Sequence, residues 1–396
     1  MRAPPPERPP AALRLKGPEA FAPVADAAAL LDSDGGVLEL HPAGRHEYAW
    51  GPCFGAEGRP TALYGRWEMD HGLRLTSLRD AWLAGGGAVI GADGGVVLDG
   101  LAAHAHEIAA DPARFALTLR LYGLLRAEDG ALSALPGPVR TVEEPVFHLM
   151  CQADNAFTHF LIDTLPKLAL WEALPAPRPR LLVSQEAWRR WRGFLLAVSG
   201  QAEDAFLVHA PRTLLRLRQV LVASFPRWLD ARSVAPFRRA TAAMPAGQRR
   251  ILVVRRDAWA WDRMLLNERE VVALLRRRGF EPVVPSTLDV AGQLALYRSA
   301  SLVAGALGGG LLNAIFSAPG TGVLSLVSPD YTRPLIDSST HLTGLRIAHA
   351  VGESFSASRD RNNSPYLVDL AAVERALDAL EDSAGRPTQP TGGPFP

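Results

Sequence analysis

Hydrophobic and polar positions alternate most clearly between residues 251 and 327. Apolar runs at 251–254 and 282–284 read as strands. The amphipathic segment 267–278 reads as a helix stopped by Gly279, and 289–299 as a helix with Asp289 as its N-cap. Residues 302–304 form a further strand that runs into Gly308, Gly309 and Gly310. A short helical segment with Asn313 follows, and Pro319-Gly320 leads to a second apolar run ending at Val327. Strands alternating with helices of this length predict a parallel sheet covered on both faces.

The section from Val146 to about Pro226 alternates in the same way. Segment 157–174 carries apolar residues at helical spacing, among them Phe157, Phe160, Leu161, Leu165, Leu168 and Trp171, and Pro166 should kink it. Strands are expected at 181–183, 205–208 and 220–223. Residues 24–99 mix short apolar runs with turn signals, so this part reads as β-rich, with a hairpin over 85–98 turning at Asp93-Gly94. The proline-rich start through residue 23 and the tail from Ser383 lack periodicity and are expected to be disordered. An arginine-rich segment with Pro236 and Pro245 reads as a link at 231–249. It would join an N-terminal half, 24–230, to a Rossmann-like half, 250–360, with a last helix within 361–382 packing back across the other half. The expected architecture is two Rossmann-like α/β domains facing a cleft, with a β-rich N-terminal part.

Charge and composition narrow the chemistry. A formal net charge of +1 argues against a general nucleic-acid binder. Two cysteines, Cys53 and Cys151, support neither a disulfide framework nor a cysteine zinc site. Nearly all basic residues are arginine, with lysine only at Lys16 and Lys167. No run of about 18 apolar residues and no apolar leader is visible, so a soluble cytoplasmic protein is expected.

Three constellations could carry chemistry. Backbone N–H groups around Gly308, Gly309 and Gly310, at a strand-to-helix junction, suit a phosphate, although such turns also join strands to helices with no ligand. His159 and Asp163 stand four apart on a helix and can meet, which suits general-base activation of a hydroxyl; the alternative is a satisfied helix histidine beside a solvated carboxylate. Asn155 would cap that helix or orient its loop. Arg256 and Arg263, near Asn267-Glu268, would leave a strand end where a diphosphate could be neutralised, or would be ordinary exposed arginines. Asp32-Ser33-Asp34 has the D-x-D form of a metal-binding motif, but with Gly35-Gly36 it reads as a turn. There is no G-x-x-x-x-G-K-[ST] and no G-x-S-x-G.

Taken together, the chain resembles glycosyltransferase family 61. The resemblance rests on Asn155, His159 and Asp163 with Leu165-Pro166; on Arg256, Arg263 and Asn267-Glu268 with the run 279–285; and on Gly305 through Asn313, Phe316 and Gly320. It implies a GT-B architecture, inversion at the anomeric carbon, and a nucleotide-sugar donor bound mainly by the C-terminal domain. His159 and Asp163 would be catalytic, and Arg256, Arg263, Asn267, Gly308, Gly309, Gly310 and Asn313 would bind the donor, with no metal and no cofactor. The partners implied are the donor and a glycan or lipid-linked glycan acceptor, with peripheral association at the inner membrane face and a role in bacterial surface polysaccharide synthesis. The transferred unit would be a hexose or a pentose. Three departures stand out. Asn155 lies four residues before His159 where the family pattern has three, Leu307 replaces a histidine, and Ser325 replaces an acidic residue. The last two motivate an alternative, a degenerate GT-B-like protein that binds a glycan or partner without catalysis. A nucleotide-sugar epimerase is a third, weaker reading.

Overall fold

In a computed structural model the chain divides into two units, Met1–Gly44 with Asp70–Pro236 and Arg45–Met69 with Phe237–Pro396. The structure describes residues 8–49, 51–55, 66–101, 111, 116–128, 131–151, 153–225, 231–254, 264–330, 336–355 and 364–384.

The first unit is built on a mixed sheet. Its main path runs through β1 (Arg14–Lys16), β2 (Arg66–Ala84, in this unit from Asp70 onward), β3 (Ala88–Ile90), β4 (Gly95–Val97), β5 (Val146–His148), β6 (Arg180–Ser184), β7 (Phe206–His209) and β8 (Leu214–Ala223). Their order is β1-β4-β3-β2-β8-β5-β6-β7. The pairs β8/β5, β5/β6 and β6/β7 are parallel, whereas β2 runs antiparallel to β8 and β3. The expected hairpin at 85–98 is present, with Ile90 opposite Val96 and the Gly91 N–H bonded to the Gly95 carbonyl at 2.8 Å. Gly94 supplies its positive φ of 80°. Inward residues such as Leu83, Val89, Val146, Leu182, Leu217 and Val220 form the core. After β6 the helix α1 (Gln185–Ser199) starts from Ser184, whose hydroxyl accepts the Ala187 N–H at 3.0 Å.

The start of the chain departs from the expectation of disorder. Strand β1 pairs in parallel with β4, and Leu13 and Phe21 are buried. A sheet edge offers main-chain partners to any extended segment, so this strand needs two apolar anchors rather than periodicity. Residues 1–7 and 385–396 lie outside the described residues.

The second unit is a doubly wound α/β layer. Strands β9 (Arg249–Val253), β10 (Glu281–Val283), β11 (Ala300–Ala306), β12 (Gly322–Val327) and β13 (Arg346–Val351) lie in the order β10-β9-β11-β12-β13, all parallel. The short strand Cys53–Phe54, expected in the N-terminal half, instead extends this sheet beside β13. Helices α2 (Glu268–Arg277), α3 (Val290–Arg298) and α4 (Leu370–Asp382) follow the expected periodicity. Gly279 ends α2 at φ 82°, and the Asp289 carboxylate caps α3 by accepting the Gly292 N–H at 2.7 Å.

Two expectations about the links need correction. The apolar face of α4 does not serve the other half. Val373, Ala376, Leu377 and Leu380 bury against Leu302, Leu324, Ala348 and Ala350 of their own unit's sheet. Arg250 holds Glu381 at 2.6 Å and Arg278 holds Asp378 at 2.7 Å, which fixes α4 to the same unit. The segment read as a link carries helical turns at Ala231–Val234 and Ala235–Thr241, because Val234 and Phe237 give it buried anchors despite its arginines. Among the described residues no helix is long and apolar enough to cross a membrane.

Candidate functional site

In the first unit, β5, β6 and β7 step outward in one direction, while β8 returns to the opposite flank of β5. The carboxyl end of β5 is therefore a reversal point of strand order, where open parallel sheets hold ligands. Chain leaving that point enters the helical stretch predicted from the apolar spacing, but the stretch is not a regular helix. One α-turn, Phe157–His159, is followed by a widened π-turn, Phe160–Thr164, in which the Leu165 N–H reaches the Phe160 carbonyl. A 3₁₀ turn, Leu165–Lys167, then leads to Leu168–Glu172. Pro166 explains the irregularity, since it lacks an N–H and its ring would collide with the carbonyl four residues back in α geometry. Phe157 packs on Trp191 and Phe194 of α1, with centroids 4.8 and 5.1 Å apart, which seats the first turn.

On this stretch His159 and Asp163 meet as the sequence suggests. His159 Nδ1 and Asp163 Oδ2 are 2.7 Å apart; Asp163 is buried while the imidazole keeps 37% of its side-chain surface exposed. When the Asp163 carboxylate is ionised it can only accept, which puts the proton on Nδ1 and the lone pair on Nε2. That is the state a general base requires. Asn155 is exposed and does not cap the helix; Ala156 occupies the N-cap position without a side-chain hydrogen bond.

Beneath this pair lie groups that the sequence pattern did not single out. Lys167 is fully buried, its Nζ donating to the Met150 carbonyl at 2.8 Å and lying 4.3 Å from the Phe225 ring. Burial pulls its ammonium down to about 8, against the attraction of the Asp163 and Asp154 carboxylates. Asp154 is pushed up to about 6 by burial, although Ser184 donates to its Oδ1 at 2.9 Å. Burial also pushes the Cys151 thiol up to about 12, so it stays neutral, within 3.6 Å of the Thr164 hydroxyl. A signal for Lys167 was available. In a chain whose basic residues are nearly all arginine, a lysine stands four positions after Asp163 inside an apolar segment.

The glycine loop belongs to the second unit. Strand order reverses between β9 and β11, and the loop follows β11 at that point. Its glycines differ in purpose. A Cβ on Gly305 would stand 2.9 Å from the Val253 carbonyl oxygen, and one on Gly310 would stand 3.0 Å from Val253 Cγ1, so both allow β9 and the loop to approach. Gly308 is extended and open, with nothing within 4 Å of an added Cβ. The helix after it, Gly309–Leu312, has four residues, too few for the macrodipole argument made from sequence; what remains is the individual N–H groups. Asn313 is buried, its Nδ2 donating to Gln293 at 3.4 Å. Leu307 and Ser325 are also buried, and Ser325 sits in register between Gly305 and His349.

Asn267 is committed elsewhere. Its Nδ2 donates to the Val368 carbonyl at 2.8 Å and its Oδ1 accepts the Val368 N–H at 3.2 Å, so it ties the start of α2 to the segment before α4. Arg256 and Arg263 lie outside the described residues. Asp32 ends a helix, Ala27–Asp32, and Ser33 follows as its C-cap, as the turn reading of the D-x-D motif expects. Among the described residues no group of three or more His, Cys, Asp or Glu side chains is placed to hold a metal ion.

Residues 157–324 match the family model described as Glycosyltransferase 61. No curated protein matches the chain. The matched span begins one residue after the N-cap of the His159 turn and ends inside β12. It supports glycosyltransferase activity and, in general terms, a sugar donor and an acceptor.

Proposed function

With residues 157–324 assigned to glycosyltransferase family 61, we propose that the protein is an inverting, metal-independent transferase of GT-B architecture that uses a nucleotide-sugar donor. The observation that carries this reading is the 2.7 Å bond between the half-exposed His159 and the sealed Asp163, at the reversal point of a parallel sheet. His159 Nε2 takes the proton of an acceptor hydroxyl while the oxygen forms its bond to the anomeric carbon. The bond from that carbon to the diphosphate breaks, and its electron pair leaves on the phosphate oxygen. Asp163 offsets the positive charge gained by the imidazole.

Charge on the departing diphosphate is the larger electrostatic task. Arg256, Arg263 and the N–H groups of Gly308, Gly309 and Gly310 are assigned to it, with Asn313 positioning the loop; Asn267 keeps a structural role because Val368 occupies its amide. In this reading the transferred unit is a hexose or pentose. The acceptor is a glycan or lipid-linked glycan, met at the cytoplasmic face of the membrane during surface polysaccharide synthesis.

Incubation with a panel of nucleotide sugars and glycan acceptors tests the proposal through acceptor-dependent release of nucleoside diphosphate. Activity that survives EDTA supports it, and a strict requirement for Mg²⁺ or Mn²⁺ would contradict the metal-independent mechanism. The burial of Leu307 and Ser325 in the second unit favours one other reading, a protein that binds without transferring. Calorimetry with uridine and guanosine diphosphates separates the two. Measurable nucleotide affinity supports the transferase, and its absence supports the degenerate form.

A further inference from the structure

The glycine loop assigned to the diphosphate is tied to α3 by a residue the mechanism does not use. Tyr297 is fully buried near the carboxyl end of that helix, and its hydroxyl donates to the Gly310 carbonyl at 2.6 Å. A buried tyrosine hydroxyl needs a partner, and here the partner is a main-chain oxygen of the loop rather than a group of the helix or the sheet. Gln293, one turn earlier on α3, accepts from Asn313 Nδ2 at 3.4 Å. Residues 293 and 297 are four apart and share a helix face, so α3 meets the loop through two polar side chains on one stripe. The other bonds of the loop are local or flank it. The Leu307 N–H bonds to the Leu326 carbonyl of β12 at 2.9 Å, on the strand side. Beyond the glycines, the Leu312 N–H returns to the Gly308 carbonyl at 3.0 Å and the Asn313 N–H to the carbonyls of Gly310 and Leu311. Tyr297 adds a bond from outside the turn, at the point where three glycines in succession give the backbone its widest choice of conformation. A peptide group is planar and trans, so the Gly310 carbonyl and the Leu311 N–H point to opposite sides. Drawing that carbonyl toward α3 therefore turns the N–H away from α3.

We propose that Tyr297 is a positioning residue for donor binding: its hydroxyl holds the glycine loop in the shape in which the loop's N–H groups meet the diphosphate, so the ordering is done before the donor arrives. This rests on the assignment of the loop to the donor in the proposed function. Tyr297 touches no substrate, because its side chain is sealed in the protein. Its effect therefore falls on binding rather than on chemistry. Order lost with the hydroxyl has to be restored when the donor binds, after which the chemical step proceeds as before.

The test compares wild type, Tyr297→Phe and Thr321→Val, with melting temperatures recorded alongside. Tyr297→Phe removes one buried oxygen and keeps the ring. Thr321→Val removes a buried hydroxyl that donates to the Ala300 carbonyl at 3.1 Å, at the amino end of β11 and so away from the loop at its carboxyl end. In Tyr297→Phe the donor KM should rise about three- to tenfold, the usual worth of one neutral hydrogen bond, while kcat at saturating donor stays within about twofold of wild type. Calorimetry with uridine and guanosine diphosphates should show the same weakening. Thr321→Val should lower the melting temperature to a similar degree and leave donor KM and nucleotide affinity at wild-type values. Hydrogen exchange gives a readout that needs no ligand. It should quicken over residues 308–313 in Tyr297→Phe and not in Thr321→Val, and unchanged exchange there in Tyr297→Phe overturns the proposal. Wild-type donor KM and nucleotide affinity in Tyr297→Phe also overturn it, as does an equal rise of KM in Thr321→Val, which would reveal a general loss of stability. Failure of the loop assignment looks different. Gly308→Ala would then keep the wild-type donor KM and the proposal falls with the assignment, whereas a shift in Gly308→Ala with none in Tyr297→Phe overturns the role of Tyr297 alone.

Discussion

Replacing Asp163 by Asn separates the charge of this residue from its shape. The Asn side chain fills nearly the same volume at a buried site, so the melting temperature should change little. What is lost is the charge beside the imidazole that becomes cationic as the acceptor gives up its proton. With charge centres about 4 Å apart and an effective dielectric of about 20, that attraction is about 4 kcal/mol. Because 37% of the His159 side chain is exposed, water screens about half of it, leaving about 2 kcal/mol. An amide can also present its NH₂ to Nδ1 and so favour the wrong tautomer, which adds about 1–2 kcal/mol for the lost charge-assisted hydrogen bond. The sum, about 3–4 kcal/mol, predicts a fall in kcat of about 100- to 1000-fold with KM for donor and acceptor almost unchanged. The assay is acceptor-dependent release of nucleoside diphosphate at saturating donor. An Asp163→Asn enzyme within about threefold of wild-type kcat would refute the role of the carboxylate.

Other outcomes follow from the same geometry. Gly308→Ala should fold with an unchanged melting temperature, since the added Cβ meets nothing, yet raise KM for the donor at least about tenfold if a diphosphate lies against that backbone; unchanged KM removes the loop from donor binding. Gly305→Ala should instead lower stability, because its Cβ would press on the Val253 carbonyl, and equal melting temperatures for the two variants would contradict this contrast. Asp154 is raised from 3.8 to about 6 in the folded state, so its burial penalty is absent below about pH 4 and complete above about pH 6. Asp154→Asn should therefore stabilise the protein at pH 7.5 by about 1–3 kcal/mol and lose that advantage as the pH falls below 4, followed by chemical denaturation at both values. A stabilisation independent of pH would show that charge burial is not its cause.

Much of the second unit was legible because its signals are local. The capping carboxylate of Asp289, the stop at Gly279 and the alternation of apolar runs each act within a few residues, and all three appear where the pattern puts them. The His159–Asp163 contact was legible for the same reason, being one helical turn in length. Features that depend on distant chain were not. Strand β1 is created by the edge of β4 some eighty residues away, and Asn267 is claimed by Val368 across a hundred residues. The face of α4 was visible in the sequence, but its destination was decided by which sheet offered a complementary apolar surface. The chemistry of Lys167, Asp154 and Cys151 arises from burial, which residue identity alone does not disclose for charged side chains. The widened turn at Phe160–Thr164 was hinted at by Pro166, yet a proline predicts a break and not its form.

The most direct measurement compares wild type with His159→Ala for both turnover and nucleotide affinity. Transfer from a nucleotide-sugar donor should fall by at least about 1000-fold in the variant, while calorimetry finds its affinity for the nucleoside diphosphate within about threefold of wild type. Turnover that survives the substitution would contradict the claim that the pair on the helix after β5 activates the acceptor.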